Sequence, residues 1–417
     1  MRTDESIAEA ITASPRLREI ADVVAARDGS APGVFVVGGT VRDILLGEER
    51  GDDIDLAVEG DAIAFAYELA RALGGHATPH PKFSTAVVSG LGDQHVDIVT
   101  TRRESYNAPG ALPTVEHAEL AHDLHRRDFT INAMAASLGS DDLGALFDPY
   151  GGRSDLADGV VRVLHDASFV DDPTRILRGV TYEARFGFRF DDHTEALARS
   201  CIASGHVGDL ASSRLRDELV DLLEDPNAAD GIRRLGELGV DTAIHPHLRG
   251  DDEAAALFTR VVALRDELAI DAPSWRLGLA VLARNMSADE EHDWLDRLKI
   301  RRRDADRIVG GVTVAPRIVE RLREDQLDPA QVVALADPFS PDAPLLALAR
   351  EDRPELRDYF SRLRDVSLEI GGSDLIAMGL SESPRIGDIL GEVRRRKLNG
   401  ELDGREAELA AARELAS

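Results

Sequence analysis

Apolar positions in the first 150 residues alternate between helical and strand-like spacing. They recur every three or four residues across Ser6–Arg27, which predicts one or two helices. The run Val34–Val37 is β-branched and aromatic, as in a buried strand, and the amphipathic Thr40–Leu46 after Gly38-Gly39 predicts a helix. Further strands are predicted at Asp53–Val58, Thr85–Ser89, His95–Thr100 and Val160–Leu164, and further helices at Asp61–Leu73 and His125–Leu138.

From Asp191 onward the spacing of apolar residues is helical throughout, and no strand-like alternation stands out. The predicted helices there are Ala211–Leu223, Ala228–Leu238, Glu253–Leu268, Ser274–Arg284, Glu290–Leu298, Arg302–Val312 and Glu355–Leu368. The pattern predicts an α+β protein with a small N-terminal mixed sheet followed by an all-α remainder.

Composition narrows the class of protein. The 417 residues are 43% hydrophobic and 30% charged, as in soluble globular proteins with more than one domain. No apolar run approaches the roughly 18 residues of a membrane span, and the N-terminus lacks the pattern of a signal peptide. Cys201 is alone, which excludes a disulfide framework, so we expect a cytoplasmic protein. The net charge of −28 disfavours nucleic-acid binding unless a local basic face exists.

The stretch around the second strand carries candidate chemistry. Asp53 and Asp55 alternate on one strand, so both carboxylates share a face, and paired oxygen donors suit Mg²⁺. Gly38 and Gly39 let backbone N–H groups approach a phosphate closely, and Arg42 can add a bidentate clamp. The alternative is an ordinary turn followed by a solvated strand edge.

In this order and spacing, the stretch Val34–Leu56 resembles the head-domain signature of nucleotidyltransferases in the DNA polymerase β superfamily. It is most similar to class II of the tRNA nucleotidyltransferase (CCA-adding) and bacterial poly(A) polymerase family. The string RRDFTINA at residues 126–133 matches the family's second motif, and Asp148–Leu156 resembles the third. The resemblance covers nearly the whole chain and is strongest up to Phe190.

The resemblance implies roles for particular residues. Asp53 and Asp55 would bind two Mg²⁺ ions, one that activates the primer 3′-hydroxyl and one that holds the triphosphate. Asp97 would be a third catalytic carboxylate, unless it is a solvent-facing strand residue. Gly38, Gly39, Arg42 and Arg127 would hold the triphosphate, while Asp128 and Asn132 would suit the ribose hydroxyls. The loop predicted at Asn107–Pro113 would help arrange the primer.

A helix after Pro173 would read the base. Asp172 and Arg175 are three residues apart, so a carboxylate acceptor and a guanidinium donor share one face. Together they match the amino and ring-nitrogen edges of cytosine and adenine and reject uracil and guanine. The alternative is that Asp172 is a helix N-cap. Arg178 continues the family's arginine spacing, but Thr181 stands where a third arginine is usual.

Two basic clusters interrupt the acidic background and are candidates for tRNA phosphate contacts. The alternative is that they are solvated helix faces. The clusters are Lys299, Arg301, Arg302 and Arg303, and Arg394, Arg395, Arg396 and Lys397.

The resemblance implies an enzyme that adds CMP and/or AMP from CTP and ATP to the tRNA 3′ end, releasing pyrophosphate. The alternatives are a poly(A) polymerase and a non-catalytic RNA-binding module. It further implies N-terminal helices (1–30), a nucleotidyltransferase head (31–150), a neck (151–220), a helical body (221–312) and a tRNA-binding tail (313–417). No protein partner is inferred, and the choice among CCA, CC and A addition stays open.

Overall fold

The computed structural model describes residues 4–28, 31–48, 53–92, 94–105, 114–208, 210, 212–324 and 326–416. The chain divides into two compact units, Met1–Ala211 and Ser212–Ser417. The predicted loop Asn107–Pro113 lies outside the described residues. The finer division into five parts stays a prediction.

The first unit combines a mixed sheet with helices, as the apolar pattern predicts. The helices are α1 (Asp4–Ala13), α2 (Pro15–Ala25), α3 (Gly39–Leu46), α4 (Ala62–Leu73), α5 (Leu120–His125), α6 (Gly152–Asp158), α7 (Ser168–Asp171), α8 (Thr174–Phe186) and α9 (Asp192–Ala203). The strands are β1 (Val34–Val37), β2 (Asp53–Val58), β3 (His76–His80), β4 (Thr85–Leu91), β5 (Gln94–Thr100), β6 (Arg102–Ser105), β7 (Thr114–His117), β8 (Ala135–Ser137), β9 (Leu146–Phe147), β10 (Val160–Val161) and β11 (Arg189–Phe190).

Seven strands form one sheet in the order β3-β4-β5-β2-β1-β8-β9. Only β2 and β5 run parallel in it, and the other pairs are antiparallel. The predicted mixed sheet is therefore confirmed. The parallel register sets Asp55 of β2 opposite Asp97 of β5, so two strands that are distant in sequence bring their carboxylates to one place.

The helix predicted at His125–Leu138 is wrong. α5 ends at His125, a 3₁₀ turn follows at Thr130–Asn132, and β8 then pairs antiparallel with β1. Every residue from 128 to 138 is buried, so the segment is enclosed on all sides and its apolar spacing carries no helical period. The Asp128 carboxylate accepts a hydrogen bond from the Phe129 N–H at 2.8 Å, which favours the turn over a helix.

The described part of the second unit contains helices and no strands, as predicted. The helices are α10 (Ser212–Glu224), α11 (Ala228–Leu238), α12 (Val240–Ile244), α13 (Asp252–Glu267), α14 (Ser274–Leu282), α15 (Ala288–Arg297), α16 (Arg302–Thr313), α17 (Ala315–Glu324), α18 (Pro329–Ala336), α19 (Asp342–Arg350), α20 (Pro354–Ser361), α21 (Gly372–Ala377), α22 (Pro384–Leu398) and α23 (Gly404–Ala416). One predicted helix, Glu355–Leu368, is too long. α20 ends at Ser361, and the chain turns there to bury Leu363.

Within the described ranges, no single helix is long and apolar enough to cross a membrane. One sharply bent pair, Pro329–Phe339 with Asp342–Arg350, meets the criteria of length and composition only when the two are taken together.

A buried carboxyl in α15 makes the second unit sensitive to pH. The Glu291 side chain is fully buried, and neither of its oxygens has a hydrogen-bond partner among the described residues. Burial raises its pKa from 4.5 to about 8. The folded state therefore holds a proton that the unfolded chain releases, so stability falls as pH rises from about 4.5 to about 8.

We expect Glu291→Gln to flatten the dependence of unfolding free energy on pH in this window. It should add about 1–3 kcal/mol at pH 8, because the cost of burying a carboxylate is removed. Urea unfolding of wild type and variant at a series of pH values measures this. Asp293→Asn, an exposed change on the same helix, is the control. Equal pH slopes for wild type and Glu291→Gln would contradict the assignment.

Candidate active site

A cavity of about 500 Å³ opens in the first unit beside β2, α3 and α8. Both the glycine pair that begins at Gly38 and the base-reading pair that begins at Asp172 line it, so the fold brings together motifs that lie more than 130 positions apart in the sequence. The predicted residues in its wall are Gly38, Gly39, Arg42, Asp55, Arg127, Asp128, Asn132, Asp172, Arg175 and Arg178. The predicted Asp53 and Asp97 are not in the wall, but they stand next to Asp55 on β2 and opposite it on β5.

Three carboxylates and a histidine gather at this end of the sheet. The alternating burial of β2 turns Asp53 and Asp55 outward together, while Ile54 points into the core. His95 lies between the carboxylates of Asp53 and Asp97. Its Nδ1 is 3.0 Å from Asp53 Oδ1, and its Nε2 is 3.4 Å from Asp97 Oδ2. The strand period and the parallel register thus build an acidic cluster at this end of the sheet.

Burial raises the pKa values of two of these carboxylates, Asp55 and Asp97. Loss of water raises the pKa of Asp55. The Arg127 guanidinium opposes this shift, and the carboxylates of Asp97 and Asp53 add to it. Loss of water also raises the pKa of Asp97, against the influence of His95. A bound cation would relieve this repulsion.

The donors present fit a hard divalent cation. Carboxylate oxygens are the ligands that Mg²⁺ prefers, and Mg²⁺ usually takes only one or two of them with substrate phosphates and water. No group of three or more His, Cys, Asp or Glu is placed to hold a metal by itself within the described ranges. We therefore expect a nucleotide to supply the remaining ligands at Asp53 and Asp55.

The wall of the cavity is basic, although the whole chain is strongly acidic. Seven arginines face three aspartates there, which gives a local excess of four positive charges (7 − 3) suited to a polyphosphate. The arginines are Arg42, Arg102, Arg126, Arg127, Arg175, Arg178 and Arg185, and the aspartates are Asp55, Asp128 and Asp172.

Sequence reasoning missed four polar wall residues. Arg126 is the first residue of the RRDFTINA motif, and its place in that motif could have indicated that it lines the site. Tyr182 and Arg185 follow Arg178 at four and seven positions on α8, so the helical period places them on the same face. Arg102 begins the β6–β7 ribbon, and no pattern pointed to it.

Gly38 allows Arg127 to approach the start of α3. Its backbone has φ of +69°, which favours glycine, and a Cβ there would lie 2.6 Å from the Arg127 guanidinium. Arg127 Nε is buried without a hydrogen-bond partner among the described residues. An arginine with spare donors beside a glycine turn and a helix N-terminus is typical of a phosphate site.

A hydrogen-bond chain connects the second motif to α3 and α8. Asn132 Nδ2 donates to Asp128 at 3.1 Å, and Asn132 Oδ1 accepts from Arg42 at 2.7 Å. Burial acts to raise the pKa of Asp128, but Arg178 and the hydrogen bond from Asn132 outweigh it and keep the group ionised. Arg42 also stacks on Tyr182, with its guanidinium 5.3 Å from the ring centre. Arg42, Asp128 and Asn132, which are all predicted nucleotide contacts, thus form one connected set.

The predicted base-reading pair lies in the cavity wall, but both side chains have protein partners. Asp172 Oδ1 accepts hydrogen bonds from the Thr174 N–H at 3.1 Å and its hydroxyl at 2.6 Å, the geometry of a helix cap. Arg175 donates to the Ser168 hydroxyl at 2.6 Å and to the Arg126 carbonyl at 2.7 Å. Thr181, at the usual arginine position, is buried and donates to the Leu177 carbonyl. Base reading by this pair stays a prediction.

The two predicted RNA-binding clusters differ in their surroundings. Lys299, Arg301, Arg302 and Arg303 are exposed, and within the described part of the second unit their side chains have no ion pair. Each cation of Arg394–Lys397 instead faces a carboxylate, such as Asp337 at 3.3 Å from Arg394 and Glu408 at 2.6 Å from Lys397. The first cluster is the more available for phosphate contacts.

Comparison with known proteins gives the family. Residues 34–162 match the model described as the poly A polymerase head domain, and residues 187–250 match that of a probable RNA and SrmB-binding site of polymerase A. The A-adding tRNA nucleotidyltransferase of Halalkalibacterium halodurans is 32% identical over 395 residues, which are 91% of this chain and 88% of that protein. The chain belongs to the tRNA nucleotidyltransferase and poly(A) polymerase family. The resemblance seen in the motifs is thereby confirmed.

Two further comparisons extend the family likeness. The A-adding tRNA nucleotidyltransferase of Geobacter sulfurreducens is 35% identical over 397 residues, which are 92% of this chain but 45% of that longer protein. The solved structure of the Thermotoga maritima CCA-adding enzyme complexed with tRNA_CCA has a TM-score of 0.82 at 31% identity. That match covers 100% of this chain and 99% of the other. Nucleotidyltransferases of this family generally use divalent metals.

Proposed function

We propose that the protein completes the 3′ end of tRNA by transferring AMP from ATP to a tRNA that already ends in CC. The observation that carries this is the placement of Asp53, Asp55 and Asp97 at one end of the sheet, beside an arginine-lined cavity. Preference for terminal AMP is supported by the two A-adding relatives, which align over more than 90% of this chain. A cytoplasmic location follows from the same proposal.

The proposed function assigns each group of site residues a role in binding metal, triphosphate or ribose. Asp53 and Asp55 would hold Mg²⁺, which lowers the pKa of the primer hydroxyl and neutralises phosphate charge when it is bound. Arg127, with Gly38 and Gly39, would hold the triphosphate in line with the primer, and Asp97 would assist the two metal-binding carboxylates. Asp128 and Asn132 would accept from and donate to the ribose hydroxyls. Phosphoryl transfer of this kind needs positioning and charge neutralisation, and no covalent nucleophile.

A second candidate is addition of all three nucleotides, C, C and A. It is favoured by the likeness to the Thermotoga CCA-adding enzyme over the full length of both chains. The proposed base-reading pair, Asp172 and Arg175, would accept either cytosine or adenine. A poly(A) polymerase on the same scaffold would extend any RNA 3′ end with ATP alone.

These candidates are separated by supplying tRNAs that end in the discriminator base, in C, or in CC, each with ATP alone, CTP alone, or both. The AMP-adding proposal predicts one-nucleotide extension of the CC-ending tRNA with ATP and little use of CTP on the shorter ones. CTP-dependent extension of the shorter tRNAs to a full end would replace the proposal with CCA addition. Product sizes on a denaturing gel give the answer.

We further propose that Lys299, Arg301, Arg302 and Arg303 bind tRNA phosphates. Replacing all four by Gln should weaken tRNA binding and reduce the slope of log affinity against log salt by about 1–3, since each phosphate contact contributes roughly 0.7–0.9. The matched control is the same change at Arg394–Lys397, where carboxylates already surround the cations. If the slope of log affinity against log salt is unchanged in the first variant, that cluster does not contact tRNA phosphates and is an ordinary solvated surface.

A further inference from the structure

Asp123 is a fully buried carboxylate that lies directly behind the basic wall of the cavity. Its side chain is 0% exposed, on the short helix α5 that precedes the RRDFTINA motif. It is not itself a wall residue. A buried carboxylate is costly unless charged partners surround it, so its partners indicate what it does.

Those partners are three arginines of the wall. Asp123 Oδ1 accepts from Arg126 Nε at 3.0 Å and Nη2 at 2.9 Å, and from the backbone N–H of Arg102 at 3.2 Å. Asp123 Oδ2 accepts from Arg127 Nη2 at 3.3 Å. One carboxylate therefore connects α5, the motif that follows it and the first residue of β6.

Arg127 depends on Asp123 for its position. Its other neighbours are the start of α3 at Gly38 and the carboxylate of Asp55. Its Nε is buried and has no hydrogen-bond partner in the described parts of the chain. Asp123 holds Nη2, while Nη1 lies beside the Gly38 turn, so the rigid and planar guanidinium is oriented with Nη1 toward the predicted phosphate site.

We propose that Asp123 is a positioning residue that orients Arg126 and Arg127 toward the phosphates of the bound nucleotide. The carboxylate touches neither nucleotide nor primer. It fixes the two guanidinium groups before the nucleotide arrives, so that less side-chain freedom is lost on binding. This inference rests on the proposed function, because it assigns the polyphosphate to that same cavity.

The test is Asp123→Asn, which keeps the size of the side chain but replaces charge-assisted hydrogen bonds by weaker neutral ones. Affinity for ATP and for inorganic pyrophosphate should each fall roughly tenfold, as expected when strong hydrogen bonds to the arginines are weakened. Affinity for adenosine, which has no phosphate, should stay within about twofold of wild type, and KM for ATP should rise more than kcat falls. Calorimetric titration with the three ligands, together with steady-state kinetics on CC-ending tRNA, measures these effects.

Asp155→Asn is the matched control. Asp155 is also buried and accepts from an arginine, Arg162, and from the Thr130 hydroxyl, but neither Asp155 nor Arg162 lines the cavity. It should lower the melting temperature without changing pyrophosphate affinity. If Asp123→Asn behaves in the same way, the positioning role is overturned and Asp123 is only structural.

A double-mutant cycle keeps the test decisive if Asp123→Asn is poorly folded. In a background of Arg126→Gln and Arg127→Gln, adding Asp123→Asn should change pyrophosphate affinity by less than about twofold, because its targets are gone. A full tenfold effect in that background would contradict the inference. Failure of the proposed function would look different, because wild type itself would then not transfer AMP to tRNA.

Discussion

Asp53→Ala and Asp55→Ala are each expected to lower AMP incorporation by roughly 10³-fold or more, because a catalytic metal supplies several kcal/mol of transition-state stabilisation. Affinity for tRNA should change by less than about twofold, since most of it comes from phosphate contacts elsewhere. Single-turnover incorporation with Mg²⁺ and filter binding of tRNA measure the two quantities.

Asp141→Ala is the control for these variants. It removes an exposed carboxylate of the same unit that is not part of the cavity wall, and activity should be retained. Near-wild-type turnover of either Asp53→Ala or Asp55→Ala would show that the paired carboxylates of β2 do not hold the metal. A parallel loss of tRNA affinity would point to misfolding, which the melting temperature reports.

Asp172→Ala is expected to lower the preference for ATP over GTP by roughly ten- to a hundredfold. The carboxylate is the acceptor that selects an amino group, and one polar mismatch in a desolvated site costs about 1–3 kcal/mol. Use of GTP should rise only in part, because Arg175 still meets a ring N–H unfavourably. The ratio of the kcat/KM values for ATP and GTP is the measurement.

The competing interpretation is that Asp172 only caps α8, as its hydrogen bonds to Thr174 indicate. Loss of a helix cap costs about 1 kcal/mol of stability and lowers the use of all nucleotides together. Asp61→Ala removes a carboxylate that caps α4 through the Ala64 N–H at 3.0 Å, outside the cavity, and shows what loss of a cap alone does. A lower melting temperature with unaltered ratios in Asp172→Ala would exclude base reading by this residue.

The sequence predicted those parts of the site that depend on local periods. The alternation of β2 placed Asp53 and Asp55 on one face, and the apolar runs located β1 and β5. Asp97 lies beside them because β2 and β5 are parallel and in this register, which the apolar pattern does not show. The family resemblance implied only the role of Asp97.

The remainder depends on long-range packing. The segment 128–138 is buried on every side, so its apolar spacing could not distinguish a helix from a central strand. The short strands β3, β6, β7 and β9 lie at sheet edges or in a two-stranded ribbon, where apolar alternation is weak. The sequence did not indicate a role for Asp123, because the proposed role depends on its contacts with three arginines, and only the folded structure shows these contacts.

The most direct test of AMP addition is the length of the product that the purified protein makes from CC-ending tRNA, ATP and Mg²⁺. We expect wild type to add a single AMP and Asp55→Ala to add none at equal tRNA occupancy. A long poly(A) tail, equal extension of an unstructured RNA, or no incorporation by wild type would contradict it.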